Sequence, residues 1–269
     1  MNCEAENELN RSSSRQTRST FLARTALGIA GAVLGADVIR PIATALAADS
    51  PARRKGNPVS KVKRWDIVTI GNLSRNRYWG ESDARGVRPA ICTCTLIQGE
   101  GFRLLVDPSL EHEEEMAREL DRRTGCKLQD IDAVFVTHEH ADHWAGLTHY
   151  AKARWLAGPE TAALLNRTNK LPKSVEGATG SLFDALQIVP TPGHTMSLTS
   201  LRFDCEGLSV VVAGDAVATH DFWRDRRGYF NCVDFELSAR SMEKIASLAD
   251  IVVPGHDNYF LAVPEGKRP

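Results

Sequence analysis

Apolar positions along residues 64–269 come in short runs of two different periods, and the switches between them mark out the elements. Residues 65–70, 91–98 and 102–106 read as strands, the last entering Asp107-Pro108. Residues 111–123 place Met116, Ala117 and Leu120 at helical spacing, with acidic residues at the positive end of the helix dipole and Gly125 as a stop. A strand at 133–136, helices at 141–150 and 160–166, and a polar connection over 167–180 follow. The second half predicts strands at 186–189, 198–203, 208–213 and 251–253, with an amphipathic helix over 235–248. Strands and helices mix throughout, so the class is α/β or α+β. Residues 71–89 form a long polar segment carrying Tyr78, Trp79 and several arginines, either a binding loop or a surface loop.

The ends of the apolar runs share a feature. Five of them lead within a few residues to histidine or aspartate: Asp107, His138, His194 in Pro-Gly-His, Asp215 in Gly-Asp, and His256 in a second Pro-Gly-His. Each pair alone is ordinary turn chemistry. Together they place such side chains along one edge of the sheets. The densest stretch is Thr137-His138-Glu139-His140-Ala141-Asp142-His143-Trp144-Ala145-Gly146, directly after an apolar strand. Neutral imidazole with carboxylate is a ligand set suited to zinc or iron, so this is read as a metal site.

Composition adds bounds. The chain has 269 residues, a formal net charge of -1, 42% hydrophobic and 25% charged residues, the profile of an ordinary globular protein with no strong nucleic-acid signal. Residues 1–47 differ: Arg11, Arg15, Arg18 and Arg24 precede an uncharged stretch and then Ala45-Leu46-Ala47, the order of a basic region, an apolar region and a signal-peptidase site. Export to a periplasmic or extracellular compartment is expected. Thr17-Arg18-Ser19-Thr20-Phe21-Leu22 resembles a twin-arginine signal with Ser19 where the second arginine belongs. The uncharged stretch is too short to span a membrane, and no membrane span is expected in the mature chain. Residues 48–63 read as a Lys-, Arg-, Gly- and Pro-rich linker and 64–269 as one domain. Cys92 and Cys94 fall on one strand face as small core residues; Cys126, Cys205 and Cys232 are isolated, and no disulfide framework is read.

His-x-His-x-Asp-His, followed at a distance by Pro-Gly-His, Gly-Asp and a second Pro-Gly-His, resembles the metallo-β-lactamase fold superfamily over roughly residues 65–263. The resemblance implies an αββα sandwich, two mixed sheets face to face with outer helices. It implies His138, His140 and His194 on one metal, Asp142, His143 and His256 on a second, and Asp215 bridging. Two Zn²⁺ are expected, with Fe or Mn as alternatives. Asp107 is similar to a buried aspartate that orients the ligand loop. A bridging hydroxide would attack a small-molecule ester, lactone, thioester or amide, with Asp142 and Asp215 as the catalytic carboxylates.

Departures from subfamily patterns narrow this reading. Asp215 stands where the lactamases carry cysteine or serine. Thirteen residues follow His256, too few for a glutathione-binding helical domain or an RNA-processing cassette, and His140 replaces the glutamate of flavin-linked diiron enzymes. The chain resembles small metallo-β-lactamase domain-containing proteins and, more loosely, quorum-quenching lactonases, although Val217 and Ala218 occupy the place of the lactonase tyrosine. Three other readings stay open: a two-metal phosphodiesterase or ribonuclease, a mononuclear iron persulfide-type dioxygenase using two histidines and Asp215, and a metal-stabilised binding protein. Trp144, Phe222, Trp223 and Tyr259 are candidate pocket aromatics, with His220, Arg224 and Arg227 as polar options.

Overall fold

The computed structural model describes residues 61–262; the expected export signal and the linker up to residue 60 lie outside them. Two six-stranded sheets make up the frame. In the first, β1 (Val62–Thr69), β2 (Cys94–Gly99) and β3 (Phe102–Val106) are antiparallel, and β4 (Ala133–Val136), β5 (Arg154–Ala157) and β6 (Glu176–Gly177) continue in parallel. In the second, β7 (Ser181–Leu182), β8 (Leu186–Pro190), β9 (Thr199–Cys205) and β10 (Leu208–Gly214) form an antiparallel meander. There β11 (Ile251–Pro254) runs parallel to β10, and β12 (Phe260–Leu261) closes the edge.

The apolar runs are continuous because these strands are buried on both faces. Leu104, Val106, Ala133 and Phe135 point inward and meet Leu201, Phe203, Val210, Val212, Ile251 and Val253 of the other sheet. Their neighbours Leu105, Val134 and Val136 point outward and pack with Met116 and Leu120 of α1 (Glu113–Thr124) and Ala162 and Leu165 of α2 (Pro159–Arg167). On the far side Val211, Ala213 and Val252 pack with Met242 and Ile245 of α4 (Phe235–Leu248). Period-2 parity along the strands therefore sorts the side chains into three apolar layers, which defines the αββα sandwich. Truncating a fully buried ring such as Phe135 to alanine costs about 3–5 kcal/mol.

Local chemistry sets the element ends. The Asp234 side chain accepts from the Leu237 N–H at 2.8 Å and caps α4, while Gly125, at φ 74°, ends α1 in the left-handed region.

Several boundaries differ from expectation. β1 begins at Val62, inside the expected linker, because it pairs with β2 from its first residue. The expected helix over 141–150 is two 3-10 turns, Ala141–His143 and Leu147–Tyr150. Asp142 and His143 turn toward the sheet edge in its first turn, and Gly146 donates its N–H to the Pro108 carbonyl at 2.9 Å where a Cβ would strike the Leu110 carbonyl. The polar connection over 167–180 contains β6, and α3 (His220–Arg224) follows the Asp215 turn. Segment 71–93 is tied at its base by an Asn72–Ile91 bridge, and Leu73 packs against Ala218, Phe222 and Tyr229.

Candidate metal centre

The parallel strands β3 and β4 in one sheet and β10 and β11 in the other deliver their C-terminal ends to a common edge, where Asp107, His138, Asp215 and His256 begin the connecting turns. His194 comes from the turn between β8 and β9. Its predecessor must be glycine: Gly193 has φ 135°, and an added Cβ would collide with the Ser238 backbone at the start of α4. Gly255 answers a different constraint, since a side chain there would run into the Asp215 carboxylate.

The bend over Thr137–Glu139 that follows β4 brings the His138 and His140 rings together, their centroids 4.7 Å apart. His138 Nε2 and His194 Nε2 lie 3.1 and 2.9 Å from His140 Nδ1. Asp215 Oδ2 completes this group, 3.1 Å from His194 Nε2 and 3.8 Å from His138 Nε2. The other carboxylate oxygen, Oδ1, lies 3.3 Å from His143 Nε2 and 3.2 Å from His256 Nε2, and Asp142 Oδ2 is 3.5 Å from His256 Nε2. The structure thus assembles two clusters, His138, His140, His194 with Asp215, and Asp142, His143, His256, joined through the two oxygens of one aspartate. All seven residues expected from the sequence come together.

Supporting groups decide which ring nitrogen faces inward. His256 Nδ1 donates to the backbone carbonyls of Asn72 (3.1 Å) and Ile91 (2.9 Å), so its Nε2 presents a lone pair. His143 Nδ1 donates to Asp107 Oδ2 at 2.8 Å. The Asp107 carboxylate also accepts the Thr137 N–H and hydroxyl, both at 2.8 Å, and Thr137 Oγ1 in turn faces His138 Nδ1 at 3.1 Å. Cys232 Sγ lies 3.9 Å from His194 Nδ1.

The inward-facing atoms are ring nitrogens and carboxylate oxygens, which need a shared proton or a metal ion between them. Buried His143 Nε2 and Asp215 Oδ1 have no hydrogen-bond partner. At this range two lone pairs repel unless a ring proton or a metal ion lies between them. A tetrahedral ion with bonds of ~2.0–2.1 Å sets donor atoms about 3.3 Å apart, which matches these separations. The electrostatics agree: burial disfavours the charged form of His194, yet the Asp215 carboxylate overrides it and holds the ring up at about 9. Asp215 is held well below the usual carboxylate range, because His256, His143 and His194 outweigh its burial. The pocket therefore calls for positive charge, and its imidazoles and carboxylates are a donor set that fits divalent metal.

Other sequence candidates divide. Trp223 is buried in the outer layer against α4, with Arg226 stacked on it at 4.1 Å, and Phe222 is buried with Leu73, Ala218 and Tyr229 beneath segment 71–93, so both are packing residues. Trp144 ties down the ligand loop by donating to the Glu139 carbonyl at 3.0 Å. Tyr259 packs edge-on against Trp65 at 5.3 Å, and His220 stacks on Phe260 at 4.4 Å. Arg227 lies over Phe235 at 5.9 Å. Cys94 fills the outer layer as expected, but Cys92 precedes β2, and its thiol donates to the Asp142 carbonyl at 3.1 Å. Burial pushes that thiol up to about 12, so it supports the loop as a neutral donor. Sequence reasoning missed Thr137 and the carbonyls of Asn72 and Ile91. Thr137 carried a signal, being a hydroxyl residue between a buried strand and the first histidine; the carbonyls carried none.

The sequence model of the Metallo-beta-lactamase superfamily matches residues 87–256. Metallo-beta-lactamase domain-containing protein 1 of Mus musculus is 29% identical over 205 residues, covering 70% of this chain and 74% of that protein. Among solved structures, a probable metal-dependent hydrolase from Staphylococcus aureus superposes with a TM-score of 0.59 at 15% identity, covering 78% of this chain and 96% of the other. A quorum-quenching N-acyl homoserine lactone lactonase superposes with a TM-score of 0.57 at 20% identity, covering 74% and 99%. At such identities the structural likeness speaks for the fold.

Proposed function

This chain belongs to the metallo-beta-lactamase superfamily, and on that premise we propose that it is a hydrolase with a dinuclear zinc site acting on an ester, lactone, thioester or amide. In this reading His138, His140 and His194 hold one ion, Asp142, His143 and His256 the other, and Asp215 spans both. The observation that carries it is the aspartate itself, whose Oδ2 faces one cluster and Oδ1 the other at 3.1–3.3 Å. When bound, such a pair supplies Lewis acidity and lowers the pKa of a water so that a nucleophile exists near neutral pH.

The chain's own residues supply orientation and proton transfer. Asp107, Thr137 and the Asn72 and Ile91 carbonyls fix the imidazoles, so the site needs no rearrangement to bind. Asp142 differs from the buried groups, its side chain being 24% exposed against 4% for Asp215, and it follows half-buried His140 and exposed Ala141. The site opens on that side. Asp142 is thus the carboxylate positioned to take the proton of the attacking water and deliver it to the leaving group. A small-molecule substrate would enter here, and the N-terminal segment would export the enzyme, which N-terminal sequencing of secreted material tests.

A panel of lactone, thioester, β-lactam and phosphodiester substrates is the direct test. Turnover of carbonyl substrates is expected, and cleavage of the phosphodiester alone would replace this reading with a nuclease one. Metal analysis of protein purified without added metal should give two equivalents; one iron with oxygen consumption and persulfide as substrate would overturn the hydrolase assignment.

A further inference from the structure

Glu139 sits between two of the ligand histidines, and the reading above gives it no role. The His138 and His140 rings face each other, while the Glu139 side chain points to the turn between β8 and β9. There its Oε2 accepts from Ser197 Oγ at 2.5 Å and from Thr195 Oγ1 at 3.1 Å. Thr195 is the residue after His194, and both hydroxyls are buried. On the opposite flank the Trp144 indole donates to the Glu139 carbonyl at 3.0 Å. The segments so joined come from different sheets, the end of β4 and the turn between β8 and β9. One backbone bond, Thr199 N–H to the Thr137 carbonyl at 3.1 Å, links the two strands behind the ligands. Forward of it, apart from the contacts among the three imidazoles themselves, Glu139 is the side chain seen to bond from the His138-His140 segment to the His194 turn.

We propose that Glu139 is a positioning residue for the first cluster: its carboxylate latches the His138-His140 segment to the His194 turn and so sets the spacing of the three imidazoles that receive one ion. The second cluster does not depend on it, because His143 is oriented by Asp107 and His256 by two backbone carbonyls. The inference rests on the dinuclear reading, and the selectivity between clusters is what separates a latch from a generally loosened fold.

The experiment is a chelator-competition titration of the metal-loaded, full-length protein with Co²⁺ as probe, following its visible absorption, for wild type, Glu139→Ala, Glu139→Gln and the Thr195→Val/Ser197→Ala pair. Expected for Glu139→Ala is a loss of about 10–100-fold in affinity for one equivalent, the range for partners that orient ligands, with the other equivalent unchanged. The donor-side pair should reproduce that loss and carries the test if Glu139→Ala does not fold. Glu139→Gln keeps a carbonyl acceptor for the two hydroxyls and should retain most of the affinity. Two equivalents at wild-type affinity in both Glu139→Ala and the donor-side pair, or both equivalents weakened alike, would overturn the proposal. If wild type takes up one ion only, the dinuclear reading falls, and the latch stands or falls on whether Glu139→Ala weakens that ion.

Discussion

The two clusters of the centre are built by opposite means. The second is held by fixed acceptors: the buried Asp107 carboxylate behind His143, and two main-chain carbonyls behind His256. The first is held by side chains that are small or can rotate, a hydroxyl behind His138, a thiol behind His194, and the Glu139 carboxylate across the gap. A carbonyl or a triply bonded carboxylate dictates an N–H toward itself, which leaves one tautomer. The Thr137 hydroxyl accepts from His138 Nδ1 only as long as Asp107 takes its proton, and the Cys232 thiol either donates or accepts, so both dictate less directly. The second cluster is therefore fixed before any ion arrives, whereas the first relies on several weaker constraints acting together. Asp215 couples the two, and removing it erases the distinction.

Asp215→Ala should accordingly have the largest effect. Both clusters lose their shared ligand, and the remaining imidazoles lose the carboxylate that offsets their burial. Affinity for both equivalents should fall by more than about 100-fold, beyond the usual cost of losing an outer partner, with turnover falling in step. Full metal content and full turnover in this variant would refute the bridge.

Asp107→Asn is the sharper probe of the comparison. Asp107 lies at φ 53°, a conformation asparagine tolerates, so the backbone is not the issue. With its amide oxygen accepting from the Thr137 N–H, its NH₂ replaces Oδ2 and faces His143 Nδ1. A donor then opposes a donor. The ring must shift its proton to Nε2, where it blocks the lone pair meant for the ion. The second equivalent should weaken about 10–100-fold, and the first by less, since Thr137 can turn its hydroxyl around. Equal losses in metal titrations would show that the two clusters are not separately supported.

How much of this was legible in the sequence follows the same division. The strands were readable because burial on both faces leaves continuous apolar runs, and 102–106 and 235–248 coincide with β3 and α4 residue for residue, whereas the sandwich followed only from the resemblance of the His and Asp pattern to the superfamily. His138, His194, Asp215 and His256 stood out because each follows an apolar run, and the resemblance added His140, Asp142 and His143 to the candidate set that the structure brings together. The 141–150 segment misled because its spacing is helical, while ligand geometry and the tight approach of Gly146 to two carbonyls hold it in 3-10 turns. Phe222 and Trp223 misled because aromatics near a site look alike whether they face it or the core. What fixes His256 could not be read at all: every residue has a carbonyl, and only the fold of segment 71–93 brings those of Asn72 and Ile91 to the ring.

The smallest expected effect tests the weak end of the comparison. Cys232 is the group behind His194 Nδ1, at 3.9 Å, and its sulfur also lies 3.7 Å from Ser238 Oγ. Sulfur is a poor hydrogen-bond partner, and the ring is already confined by Gly193 against α4, by Val233 N–H on the His194 carbonyl at 3.1 Å, and by burial. Cys232→Ala should therefore weaken the first equivalent by less than about fivefold, the equivalent of roughly 1 kcal/mol or less, and leave the second untouched. Competition titration of the variant measures this directly. A loss as large as that of Asp107→Asn would mean that the thiol fixes the His194 tautomer as firmly as a carboxylate fixes His143, and the contrast between the two clusters would then lie in which atoms hold them and not in how tightly they are held.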